Sequence, residues 1–286
     1  MTDILIAVAV VALIGAVCSA LLIFASKYMS VKTDEKVKNI RDALPGANCG
    51  ACGYTGCDGY AAALASGAET RTNLCVPGAD SVAKRISELT GGEFQDVREK
   101  VAFICCMGDS ECTYKKFTYT GIKTCKAAYS MWCGDGSCSY GCIGLGDCAA
   151  VCPSSAICIE NGIAHVDTRK CTGCGLCAKE CPKSLIRIMD DVERVFVSCS
   201  NRDKGAVARK NCSNACIACR KCENSCPVGA VKVEDNLARI DYSLCTDCGT
   251  CASVCPVGCI KISDFSGIHR YTATEEEEKI PAVSVK

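Results

Sequence analysis

Four cysteines followed by a proline recur along this chain at one fixed spacing, and that spacing limits its folds more than any other feature. Cys171, Cys174, Cys177 and Cys181, before Pro182, return 74 residues later as Cys245, Cys248, Cys251 and Cys255, before Pro256. Cys216, Cys219, Cys222 and Cys226, before Pro227, form a third copy. The same shift of 74 carries it back onto Cys142, Leu145, Cys148 and Cys152, before Pro153. Two tandem modules of one design follow, over residues 137–191 and 212–264, with a single break at Leu145. Thiols this close along a chain strain badly as disulfides but converge readily on one metal centre. In this pattern three close thiolates take three corners of an iron–sulfur cubane, and the cysteine before proline serves the other cluster. The predicted sets are Cys152 with Cys171, Cys174 and Cys177, and Cys181 with Cys142, Cys148 and one further thiolate. In the second module they are Cys226 with Cys245, Cys248 and Cys251, and Cys255 with Cys216, Cys219 and Cys222.

The break at Leu145 leaves either a cluster of three iron atoms, or one with an outside ligand, or a substitute thiolate, and Cys138, four residues before Cys142, is the predicted substitute. A fifth set stands nearer the N-terminus: Cys49, Cys52 and Cys57 within PGANCGACGYTGCDGY, followed by Cys75. Four thiolates also hold zinc, but the four-residue gap and the dense glycines favour iron. A capped helix is predicted from Asp80, ending at Gly91 and Gly92. Cys106, Cys112, Cys125 and Cys133 are candidates for a sixth cluster, although their irregular spacing favours unligated thiols. Val101 to Cys106 reads as a strand, with Gly108 and Gly121 as turn points. Cys158, Cys199 and Cys259 are expected as packed small apolar residues, and Trp132 as packing. His165 and His269 sit in no ligand pattern.

Composition narrows the class further. The chain has 30 cysteines in 286 residues, which in a short secreted protein would imply a disulfide scaffold. Lys+Arg and Asp+Glu are both 32, so no global charge bias points to nucleic acid. There is no G-x-G-x-x-G after a strand and no P-loop, hence no sign of a nucleotide or flavin site. Residues Ile4 to Ser26 carry no charge and are long enough to span a bilayer core of about 30 Å. Asp3 precedes them, while Lys27, Lys32, Lys36, Lys38 and Arg41 follow, which places the rest of the chain on the cytoplasmic side. The expected division is a transmembrane helix at 1–28, a small helical cluster domain at 33–92 and a cysteine-bearing linker at 93–136. The modules come next, joined by a connector at 192–211, and an acidic tail occupies 265–286. The fold class is α+β. From Leu185 to Cys222 eight Lys/Arg face four acids, either a rim that would steer an acidic electron donor or a solvated linker.

The order of these motifs resembles a known family. An aliphatic N-terminal span is followed by LPGANCGACGYTGCDGYA, CSYGCIGLGDCAAVCP, and ferredoxin repeats separated by VSCSNRDKGAVARKNC. This is similar to the B subunit of the Rnf complex, the ion-translocating ferredoxin:NAD oxidoreductase, in the long form of anaerobes. The resemblance implies at least five [4Fe–4S] clusters that accept electrons from soluble reduced ferredoxin and relay them to membrane subunits at the inner cell membrane. It implies that NAD, flavins and the Na+ or H+ path belong to other chains. Rival readings are an electron-transfer subunit of a hydrogenase or formate dehydrogenase, and a zinc-stabilised scaffold without a redox role.

Overall fold

A computed structural model describes residues 2–28, 35–190 and 195–262. The predicted tail at 265–286, His269 and Arg194 of the basic stretch lie outside the described residues. The first element is a helix, α1 (Thr2–Tyr28). Within it side chains are described only at Ile4, Ile6 and 12–24, and all of these are exposed. Among the described residues no helix is long and apolar enough to cross a membrane.

Three helices build the first cysteine domain: α2 (Glu35–Ala43), α3 (Cys57–Ser66) and α4 (Ala79–Thr90). Their apolar faces meet at Ile40, Tyr60, Ala61, Leu64 and Ile86, all buried. The predicted stop at Gly91 is present: it adopts φ 73° and its N–H bonds back to Ser87 O at 2.8 Å, the left-handed helix end that glycine tolerates best.

Each module is a pair of two-stranded antiparallel sheets. In the first, β1 (Lys100–Ile104) pairs with β4 (Ile186–Asp190), and β2 (Ile157–Glu160) pairs with β3 (Ile163–Val166). Short helices α5 (Cys125–Ser130), α6 (Asp147–Ala150) and α7 (Leu176–Glu180) lie between them. In the second, β5 (Val195–Val197) pairs with β8 (Ile260–Ile262), and β6 (Val231–Glu234) with β7 (Leu237–Ile240). Its helices are α8 (Gly205–Asn211), α9 (Lys221–Asn224) and α10 (Thr250–Ser253).

The first strand of each module comes from outside the predicted boundaries. β1 lies in the segment expected as a linker, and β5 in the segment expected as a connector. Both are short apolar runs, and each closes its module by pairing with the last strand. The registers are equivalent: Ile104 faces Ile186, and Val197 faces Ile260, 74 residues further on. From this strand to the first cysteine of the run the path is longer in module one (104 to 142) than in module two (197 to 216). Each path carries one helix, α5 in the first module and α8 in the second.

Candidate metal centres

In the first domain Cys49, Cys57 and Cys75 are buried and Cys52 is half-buried. Burial pushes the Cys75 thiol up to about 11, against a bonding N–H from Gly78, and neighbouring Cys57, Cys49 and Cys52 push it further. All four predicted thiols therefore stand together. The Asn48 side chain accepts a hydrogen bond from Cys57 N at 2.8 Å, fastening the loop to the start of α3.

In module one, burial and then Cys171, Cys174 and Cys152 push the Cys177 thiol up to about 12. Backbone N–H groups aim at two of these sulfurs: Ala102 N donates to Cys171 Sγ and Ala156 N to Cys152 Sγ, each at 3.3 Å. The Ala102 donor comes from β1, so the strand expected outside the module touches its cysteine loop. Gly173, at φ 64°, is the residue that permits this approach, because a Cβ there would run into the Lys100 carbonyl. In module two that place belongs to Asp247, whose side chain instead accepts from Val195 N at 3.3 Å.

Beside Cys142, Cys148 and Cys181 the structure places Cys125, and it places Cys138 in another cavity. Burial and then Cys142, Cys125 and Cys181 push the Cys148 thiol up to about 12. These four cysteines line one cavity with Ile143, Asp147 and Pro182. The reason is local. Asp147, at the head of α6, accepts from Cys125 N at 2.8 Å and Lys126 N at 3.0 Å through its two oxygens. A carboxylate at a helix N-terminus is favoured by the helix dipole and by the unpaired N–H groups. Thr124 adds a cap on Ala127 N at 3.2 Å, and Lys126 pairs with Glu180 at 2.6 Å. Cys138 faces a different cavity, shared with Cys106.

In module two Cys216, Cys219, Cys222 and Cys255 line one cavity. Burial pushes Cys222 up to about 11, with Cys216, Cys219 and Cys255 adding to it. Cys259 joins them, 3.6 Å from Cys255, sulfur to sulfur. The last set is together as well: burial, then Cys245 and, more weakly, Cys226 raise the Cys251 thiol. Cys245 is raised by burial, with Cys226 and Cys248 contributing. Among the described residues no three His, Cys, Asp or Glu side chains are close enough to hold a single metal ion. A cubane spreads its four thiolates wider than one ion does.

Further expectations are corrected. Cys106, Cys112, Cys125 and Cys133 are not gathered: Cys125 belongs to the set above, and Cys112 accepts from the Asn214 side chain at 2.9 Å. Cys133 lies near Lys183. Cys158 is exposed, its thiol donating to Glu160 at 3.4 Å, because it occupies the solvent face of β2. Trp132 is 84% exposed rather than packed. Spacing alone does not reveal that Cys125 stands with Cys142, Cys148 and Cys181.

Comparisons with known proteins find iron–sulfur families along these cysteine runs. Residues 44–77 match a putative Fe-S cluster family, 164–187 a 4Fe-4S binding domain, and 215–264 a 4Fe-4S dicluster domain. The chain is 41% identical to the B subunit of the Na(+)-translocating ferredoxin:NAD(+) oxidoreductase complex of Acetobacterium woodii, over 85% of this chain and 73% of that one. It is 41% identical to the B subunit of the proton-translocating ferredoxin:NAD(+) oxidoreductase complex of Clostridium ljungdahlii, over 86% and 87%. It is 36% identical to the B subunit of the ion-translocating oxidoreductase complex of Methanosarcina acetivorans, over 84% and 90%. Identity at this level across most of both chains, joined to iron–sulfur domains at the predicted cysteine runs, means that this chain belongs to the family of B subunits of ion-translocating ferredoxin:NAD oxidoreductase complexes.

Proposed function

We propose that this chain is the electron relay of such a complex, taking electrons from reduced ferredoxin and passing them to membrane subunits on the way to NAD. The observation that carries the reading is the set of five four-cysteine groups, each assembled from more than one stretch of the chain and, in module one, met by backbone N–H donors. Bound there, a [4Fe–4S] cluster would take up and release one electron. The chain's own residues fix the centres: Ala102 and Ala156 point N–H groups at thiolates, and Gly173 leaves room for β1. The Lys179 side chain donates to Cys49 O at 2.6 Å, holding the first domain against module one beside the Cys177 helix.

Exposure supports a direction. Among the twenty cysteines of the five sets, only Cys219 and Cys248 are exposed, and both belong to module two. Electrons enter there from ferredoxin and leave through the first domain, which follows α1 in the chain. The uncharged run Ile4 to Ser26 and the exposed leucines and isoleucines of α1 support a membrane span with the centres on the cytoplasmic side. The test is rapid-freeze electron paramagnetic resonance of the purified complex mixed with reduced ferredoxin. Cluster signals should appear within the turnover time of NAD reduction, and clusters that stay oxidised while NAD is reduced would sink the reading.

A further inference from the structure

Between the two modules lies a second gathering of cysteines that the repeat does not account for. Cys106, Cys138, Cys199 and Cys212 line one cavity of about 450 Å³, part of it open to solvent. The cavity of the Cys125 set, measured alike, is about 420 Å³. We propose that Cys106, Cys138, Cys199 and Cys212 hold a further [4Fe–4S] cluster at this seam, joining the inner centres of the two modules into one path. The proposal rests on reading the other five sets as cluster sites.

Strand register shows that the four are two equivalent pairs. Cys105 N bonds to Leu185 O at 2.7 Å, and Ser198 N bonds to Cys259 O, 74 residues further, at 2.8 Å. Cys106 and Cys199, the next residues, are therefore counterparts. Cys138 and Cys212 are counterparts by the 74-residue shift itself. The hydrogen bonds repeat too. Cys142 N donates to Cys106 Sγ at 3.3 Å, and its counterpart Cys216 N donates to Cys199 Sγ at 3.4 Å. N–H donors of this kind match those at Cys171 and Cys152 and suit thiolate ligands, whose charge they stabilise.

The rest of the cavity fits a charged guest. Asn201 is 1% exposed, and it gives its side-chain amide to Cys138 Sγ at 3.3 Å and its backbone N–H to Cys199 Sγ at 3.4 Å. The Ser198 hydroxyl lines the same cavity, buried and without a hydrogen-bond partner; a sulfide would give it one. A Cβ on Gly108 would stand 3.2 Å from Cys212 Sγ and 3.8 Å from Cys106 Sγ, so the bare glycine leaves both sulfurs room. Lys183, near Cys138 and Cys106, supplies positive charge.

The seam lies one hydrogen bond from Cys142 on one side and from Cys216 on the other. One electron arriving from the Cys216 centre would reduce the seam cluster, and its departure to the Cys142 centre would reoxidise it. The test is the full chain purified without oxygen, assayed for iron, sulfide and electron uptake. About 24 iron and 24 sulfide, with about six electrons taken up in coulometric titration, are expected for six clusters. About 20 of each, with about five electrons, would overturn the seam cluster and leave the other centres standing. A chain with zinc and almost no iron would overturn the reading of the five sets instead. The Cys138→Ala/Cys199→Ala variant should lose about four iron and one electron, while Cys105→Ala in the same cavity wall should lose none. Unchanged iron in the double variant would also overturn the proposal, and the count on the unmodified chain decides the matter if that variant does not fold.

Discussion

At Leu145 one residue breaks a regular run of cysteines, and the thiol that stands beside the gap lies twenty residues upstream. Spacing points to Cys138 because it is the nearest spare thiol; nothing in the repeat marks Cys125, since the corresponding stretch of module two, which holds α8, has no cysteine in its helix. The one local signal for it is the Thr124 cap before a short helix. Cys125→Ala should strip one iron or the whole cluster from the Cys142, Cys148 and Cys181 centre, seen as a three-iron signal in the oxidised protein or as lost iron. Cys138→Ala should leave that centre's spectrum unchanged. Cys259 offers a second test at this scale. Its module-one counterpart is Leu185, so only the Cys255 cluster has a thiol donor 3.6 Å from a ligand sulfur. A donor to a thiolate favours the reduced, more negative cluster. Cys259→Ala should therefore lower that cluster's potential by roughly 20–60 mV, the equivalent of one hydrogen bond, measured by redox titration of its paramagnetic signal.

The elements show where sequence reading stops. The cysteine runs and the α4 helix are legible because their signals are local. The closing strands are not. β1 reads as a strand yet falls in an expected linker, and β5 disappears into a connector, because each pairs with a partner far along the chain. Periodicity carries no information about such pairing. Subtraction by 74 misleads here too: it would match Cys199 with Cys125, whereas register matches it with Cys106. The docking of β1 on its cysteine loop depends on Gly173. Gly173→Ala should destabilise module one by about 1–3 kcal/mol through the strained φ and the clash with Lys100. It should also loosen the Cys171 centre, read as a lower melting temperature and faster bleaching in air than wild type.

For the whole molecule, the buried thiols set a pH dependence. Cys75, Cys148, Cys177 and Cys222 are held at about 11 to about 12, above the ordinary 9.0, chiefly by burial. They are protonated at neutral pH without metal, so iron must displace those protons, and acid competes with iron. Iron retention against a chelator under nitrogen should weaken steadily from pH 8 to pH 6; rates independent of pH would contradict this assignment. The hydrogen-bonded order of the centres runs from module two through the seam to module one and then, by Lys179, to the first domain. The seam itself carries a consequence for ancestry. Its halves are the same patch presented twice, as in an isologous dimer, and such a joint closes on itself. Fusing two copies of an ancestral gene would have created the joint without inventing a ligand. A third copy, however, would find both half-sites already taken, so lengthening the protein by further duplication would have needed a different kind of splice.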